Sequence, residues 1–222
     1  MPAQSCGHSC RLCAATCESV DRVTQELIQI IAETCGFIAG SIGVLQGLPQ
    51  IMRIRRLGHA DGLELGTWLL MCVQFSAWTG YGVLVHSPSI WVTNTLTLVT
   101  TAMVVFGIRG RNFKSLAIVC GLAVAGFTFV LFAPTWLSSI GLTAFTASRL
   151  PQLIRTFINR NRATATAVSI SSLALTIASC LLWMAYSVLY VNVLTIITTS
   201  VALFVILATA ALELRIARRA TA

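Results

Sequence analysis

Apolar residues run along this chain in long blocks that no charge interrupts, so the first question is how many helices each block holds. Nothing formally charged lies between Glu64 and Arg109, between Lys114 and Arg149, or between Arg162 and Glu213, which leaves gaps of 44, 34 and 50 residues. A hydrocarbon core roughly 30 Å thick is crossed by about 20 helical residues, so the first and third gaps hold two spans each. Their breaks are legible. His86, Ser87, Pro88 and Ser89 form a turn in the first gap, and Tyr190, Val191 and Asn192 mark a tight reversal in the third. The middle gap holds one span and, after Pro134, most of another, and a further span precedes them all. The pattern predicts an all-α membrane protein with seven transmembrane helices, over residues 28–51, 65–85, 89–108, 115–133, 136–157, 167–189 and 190–212. A soluble bundle would need a polar stripe on each surface helix, and the runs 115–133 and 195–212 have no charged face. A membrane barrel would need short alternating segments, which the chain lacks.

Composition agrees: 56% of the 222 residues are hydrophobic and 10% charged, where a soluble domain carries about 25% charged residues. The formal charge of +8 would suggest a nucleic-acid partner in a soluble chain, but here its placement matters more than its size. Arg53, Arg55, Arg56, Arg109, Arg111, Lys114, Arg155, Arg160, Arg162, Arg215, Arg218 and Arg219 all fall on one side of the predicted spans. Only Arg11 and Arg22 fall on the other. This positive-inside bias puts the amino terminus outside and the carboxyl terminus in the cytoplasm, in the plasma membrane or, in a eukaryotic cell, an endomembrane. Residues 1–27 lack the continuous apolar region of a cleavable signal peptide, so the first span is expected to act as its own insertion signal.

Comparing the halves exposes a repeat. Leu48-Pro49-Gln50-Ile51-Met52-Arg53 recurs 102 residues later as Leu150-Pro151-Gln152-Leu153-Ile154-Arg155. Trp78-Thr79-Gly80-Tyr81 recurs 105 residues later as Trp183-Met184-Ala185-Tyr186. The unit is three helices, with the fourth span between the copies. Four crossings separate spans one and five, so the copies are parallel and related by an axis along the membrane normal. The domains follow: an extracytoplasmic tail over 1–27, a first bundle over 28–108, a linker helix over 109–134, a second bundle over 135–212 and a basic cytoplasmic tail over 213–222.

On these motifs the chain resembles the PQ-loop superfamily in its SWEET-like, three-plus-one-plus-three form, whose members include sugar facilitators and lysosomal amino-acid exporters. The signature is a Pro-Gln pair near the cytoplasmic end of the first helix of each bundle, here Pro49-Gln50 and Pro151-Gln152. Each proline frees the carbonyl four residues earlier, which shapes the helix or bends it as a hinge. The resemblance implies the hinge. It also implies substrate contact at Asn94, sixteen residues after Trp78. The matching position after Trp183 is Thr199, flanked by Thr198 and Ser200, so one half of the site carries a hydroxyl in place of an amide, unless Asn192 supplies that amide through a shifted alignment. Without the resemblance, Asn94 is equally an interhelical hydrogen bonder. Trp78 and Trp183 either stack on a sugar ring or pack as core aromatics. Tyr81 and Tyr186, one turn outward, either close the outer mouth or join the interfacial belt to which Trp91 and Trp136 belong.

Two charges lie at membrane depth. Glu33 stands on the side of its helix that carries Gly36, Gly40, Gly43 and Gly47, so it points inward, as a proton-coupling site or as a structural partner. Arg149 either contacts an anionic group or snorkels. Cys6, Cys10, Cys13 and Cys17 are the candidate metal or disulfide cluster, but their spacing lacks the paired C-x-x-C arrangement of a strong site. Cys35, Cys72, Cys120 and Cys180 read as small apolar packing residues.

These features point away from an enzyme and from any cofactor or nucleic-acid partner. No nucleophile, base and orienter share one depth, and no phosphate-binding loop is present. The expected function is a carrier for a small neutral polar solute, a mono- or disaccharide, by alternating access without coupling. A proton-coupled amino-acid transporter and a non-transporting receptor or chaperone of the same fold are the alternatives. The partners are that solute and the bilayer, with a homo-oligomer left open.

Overall fold

The computed structural model describes residues 6–57, 65–146, 150–158 and 170–220, and the regular elements among them are all helices. They are α1 (Cys6–Leu57), α2 (Leu65–Leu84), α3 (Pro88–Arg109), α4 (Phe113–Phe132), α5 (Thr135–Thr146), α6 (Leu150–Ile158), α7 (Ile170–Leu189) and α8 (Val193–Ala220). Eight segments stand for seven expected spans, because α5 and α6 share the stretch predicted as the fifth. Residues 147–149 between them, Arg149 included, lie outside the described residues, as do 167–169 at the expected start of the sixth span. The ends of α2, α3 and α4 fall within two residues of expectation.

The terminal helices depart from it. α1 begins 22 residues before the predicted start at Ile28, a continuation of roughly 33 Å, and α8 runs on to Ala220. Apolarity locates lipid, and a helix does not have to stop where lipid does. Residues 8–27 contain neither Gly nor Pro to break the helix, and Arg22 donates to Glu18 at 3.3 Å one turn away. The side chains of Cys6, Cys10, Cys13 and Cys17 on this extension lie outside the described residues.

Four stretches, Val20–Leu45, Pro88–Arg109, Phe113–Phe132 and Val193–Leu212, are long and apolar enough to cross a bilayer on their own. α2 is as long as α4 but carries Gln74, Thr67, Thr79 and two tryptophans. It compensates by being enclosed, packing against α3, α4 and α5. The chain is an integral, multi-pass membrane protein.

Packing reproduces the repeat. In the first bundle α1 and α2 each pack on α3, and among the described residues their backbones do not approach each other closely. In the second, α5, α6 and α7 each pack on α8. The spatial order is therefore first, third, second in both. Between bundles α1 meets α7 and α2 meets α5, the exchange of first and second helices that a twofold axis along the bundle requires.

Lipid tails offer helices no hydrophobic reason to associate, so close approach has to come from small residues and hydrogen bonds. At Gly36 an added Cβ would run into Ser89 and stand 3.1 Å from the Tyr186 ring; at Gly40 it would run into Thr93. Farther along the same stripe, Gly43 faces open space. The linker α4 is seated on α2 in the same way: a Cβ at Gly126 would stand 2.5 Å from the Val73 carbonyl, and one at Gly80 3.0 Å from that of Phe127.

Candidate functional site

Two helix–helix turns build one end of the molecule, and they share one backbone. α2 ends with Ser87 N–H donating to Gly82 O at 2.9 Å and His86 N–H to Val83 O at 3.2 Å. α7 ends with Asn192 N–H donating to Ser187 O at 3.0 Å and Val191 N–H to Val188 O at 3.1 Å. Both are Schellman motifs, with His86 (φ 53°) and Val191 (φ 51°) in the left-handed position usually given to glycine. The next residue then caps the following helix. Ser87 Oγ accepts from Ile90 N–H at 3.4 Å, and Asn192 Oδ1 accepts from Thr195 N–H at 3.2 Å. Every one of these positions is related to its counterpart by 105 residues, the displacement of the Trp-x-x-Tyr repeat.

The same residues tie the bundles together. Tyr81 OH donates to Asn192 Oδ1 at 2.9 Å, and Asn192 Nδ2 stands 2.7 Å from the Tyr81 hydroxyl oxygen as a donor to it. Tyr186 OH donates to Ser87 Oγ at 2.8 Å. Each tyrosine of the repeat thus reaches the capping residue of the opposite bundle. Around them lies an aromatic cluster. Trp78 meets Tyr81 edge-on at 5.5 Å, Trp183 meets Tyr186 edge-on at 5.4 Å, and Tyr186 stacks on Tyr190 at 4.9 Å. Ala32, Ile90 and the fully buried Tyr186 form its core, with Cys35, Trp78, Tyr81 and Trp183 against it.

One arm of this crossing is longer than the other. Ser87 Oγ donates onward to Glu33 Oε1 at 2.8 Å, and Ser89 N–H donates to Glu33 Oε2 at 2.7 Å. Both carboxylate oxygens are engaged at the first turn of α3, where a negative charge meets the positive end of the helix dipole. Asn192 has no acid behind it in the interactions described.

Toward the other end the polar side chains of α3 and α8 turn to their own backbone. Thr93, Thr97 and Thr101 donate to the carbonyls of Ser89, Thr93 and Thr97 at 2.6–2.7 Å. Asn94 Nδ2 donates to Ile90 O at 2.8 Å, and buried Thr198 to Leu194 O at 3.0 Å. This settles hydroxyl protons that would otherwise be stranded in hydrocarbon. It leaves lone pairs of Asn94 Oδ1 and the threonine hydroxyls as acceptors.

The residues singled out from the sequence therefore divide. Trp78, Trp183, Tyr81 and Tyr186 come together in one cluster. Asn94 lies one turn along α3 from Ile90 of that cluster, and Thr198 one turn along α8 from Leu194, which packs with Trp78 and Tyr81 against the core of Ala77, Val130 and Leu142. Thr199 is half-buried next to Thr198. Pro49 and Gln50 lie within α1, which continues to Leu57, and Pro151 and Gln152 open α6; their side chains lie outside the described residues. Ser87 and Ser89 are expected from the sequence only to turn the chain, and Asn192 to turn it or to replace the missing amide, so their part in the crossing was not foreseen. The signal was available: adding 105 to Ser87 gives Asn192, as adding it to Tyr81 gives Tyr186. A further bundle-to-bundle bond, Ser179 Oγ to Ala39 O at 2.9 Å, had no such sign.

Comparison with known proteins bears on the whole arrangement. Residues 31–91 match the PQ loop repeat family. The sugar transporter SemiSWEET of Vibrio sp. (strain N418) is 37% identical over 73 residues, which are 32% of this chain and 75% of that protein. The relative is accordingly less than half as long. A solved structure of a eukaryotic SWEET transporter superposes with a TM-score of 0.61 at 15% identity, over 84% of this chain and 99% of that one.

Proposed function

The chain belongs to the SWEET-like PQ-loop family, and from that premise we propose that it carries a small neutral sugar, a mono- or disaccharide, across the membrane by facilitated diffusion. The two bundles open alternately to either side. In this reading the turn end is the extracytoplasmic mouth, as the placement of the basic residues expects, and Tyr81 and Tyr186 are its gate. Pro49-Gln50 and Pro151-Gln152 serve as hinges at the cytoplasmic end. Asn94, Thr198, Thr199, Trp78 and Trp183 face the solute.

The observation that carries the proposal is the reciprocal bonding of each tyrosine to the opposite bundle. Contacts of this kind join two rigid bodies at a few side chains and can be exchanged for water without unfolding either. Behind them, Asn94 and the threonines already give a proton to their own helix and offer lone pairs, which suits a ligand rich in hydroxyl donors. Proton-driven export of an amino acid would need a carboxylate in the cavity. Glu33, which suggested that alternative, has both oxygens engaged in capping α3.

Purified protein in liposomes should equilibrate a labelled sugar with no pH gradient imposed. Asn94→Ala should lower uptake at least tenfold in a variant that remains folded, the scale of one or two lost hydrogen bonds to the solute. Strict dependence on an inward proton gradient would overturn the facilitator reading, and unchanged uptake would remove Asn94 from the site.

A further inference from the structure

The two arms of the outer crossing are equal in backbone and unequal in chemistry. On the Tyr81 arm the acceptor is an amide oxygen, which needs nothing behind it to accept. On the Tyr186 arm the acceptor is a serine hydroxyl, which has one proton and can point it either way. We propose that Glu33 is the positioning residue of the outer gate: its carboxylate accepts the hydrogen bond of the Ser87 hydroxyl, leaves that oxygen's lone pairs as the acceptor for Tyr186, and so holds that arm shut. The inference rests on reading the aromatic crossing as the gate.

Donor and acceptor inventory supports it. Glu33 accepts from two donors, Ser87 O–H on Oε1 and Ser89 N–H on Oε2, and the Tyr190 hydroxyl lies beside it. Only a group that accepts on both atoms satisfies both, and an ionised carboxylate is the one side chain of this length that does. A glutamine would present one acceptor and one donor, so either Ser87 or Ser89 would meet an N–H. If Ser87 turned its proton elsewhere, Ser89 Oγ at 3.3 Å is available, and the alignment toward Tyr186 would be lost. Packing holds the parts in register. Gly36, one turn from Glu33, brings α1 against Ser89 and the Tyr186 ring, and both Ser87 and Tyr186 are fully buried. With little water to compete, a hydrogen bond that ends on a charge is strong.

Cys35 provides a native reporter, since it packs half-buried against the same cluster. Cells displaying the full-length protein are treated with a membrane-impermeant maleimide, and alkylation at Cys35 is followed by peptide mass spectrometry. Glu33→Gln should speed labelling about tenfold, the effect of one charge-assisted hydrogen bond on a closed population. Tyr186→Phe should give the same acceleration, and the double variant no more than either alone, because both act through one chain of bonds. Multiplying effects in the double variant would overturn the proposal, since Glu33 would then act through α3 capping independently of Tyr186. So would an unchanged rate in Glu33→Gln while Tyr81→Phe accelerates labelling. If neither tyrosine variant changes the rate, the gate reading fails and this inference falls with it. Should Glu33→Gln not reach the membrane folded, Glu33→Asp, which keeps the charge but withdraws it by one methylene, is judged by the same comparisons.

Discussion

The two turns that carry the tyrosine crossing differ far less in path than in content. One is written His-Ser-Pro-Ser and the other Val-Asn-Val-Leu, yet both place a left-handed residue, a capping side chain and a tyrosine partner 105 positions apart. What differs is how each capping residue is supported. Asn192 serves Tyr81 with its own amide, and Ser87 serves Tyr186 with Glu33 behind it. Geometry has been held constant between the halves while the means of satisfying it changed.

The largest test of that contrast lies in the packing beneath the turns. Gly36 and Gly141 are counterparts at a displacement of 105, but a Cβ at Gly36 would strike Ser89 on α3 while one at Gly141 would meet the Phe129 ring of the linker helix. Gly36→Leu should destabilise the protein by about 3 kcal/mol or more, read as thermal unfolding in detergent, because the α1–α3 contact has no slack. Gly141→Leu should be milder, since an aromatic ring can swing aside. Equal losses would mean that the linker contact is as rigid as the bundle interior.

A smaller difference should separate the capping residues. Ser87→Ala removes a cap, a tyrosine acceptor and a donor to a carboxylate, whereas Asn192→Ala removes a cap and its bonds to the Tyr81 hydroxyl, none of which ends on a charge; we expect roughly 2 to 3 kcal/mol against about 2. A reversed order in unfolding temperature would show that the acid contributes nothing to the Ser87 arm. The smallest effect belongs to the apex residues. His86→Gly and Val191→Gly should each change stability by about 1 kcal/mol or less, in the stabilising direction, as relief of the left-handed backbone outweighs the added freedom of glycine. Both apex side chains are exposed, so little packing is given up. A marked loss at one position alone would break the equivalence of the two turns.

Most of the fold could be read in the chain. Charge-free blocks located the spans, and two short repeats located the bundles, because membrane burial and duplication both leave marks on local sequence. The helical extension of α1 could not be found that way: residues 8–27 carry charges and are helical through the absence of breakers. The matched turns were hidden for another reason. Their backbone is set by the helices on either side, so His86 and Val191 need not resemble each other. Of the candidate site, the aromatic residues were visible through the repeat, while the Ser87–Glu33 and Ser179–Ala39 bonds join positions 54 and 140 residues apart. No local pattern encodes a partner at that distance.

The apex residues have one more consequence. A left-handed turn that persists with an imidazole in one copy and a β-branched side chain in the other is not specified at its tip. The two connections are interchangeable cassettes at the level of the main chain. A recombinant gene carrying the first turn twice, or the second twice, would still trace the same path through the membrane, and only the wiring of its two tyrosines would be altered.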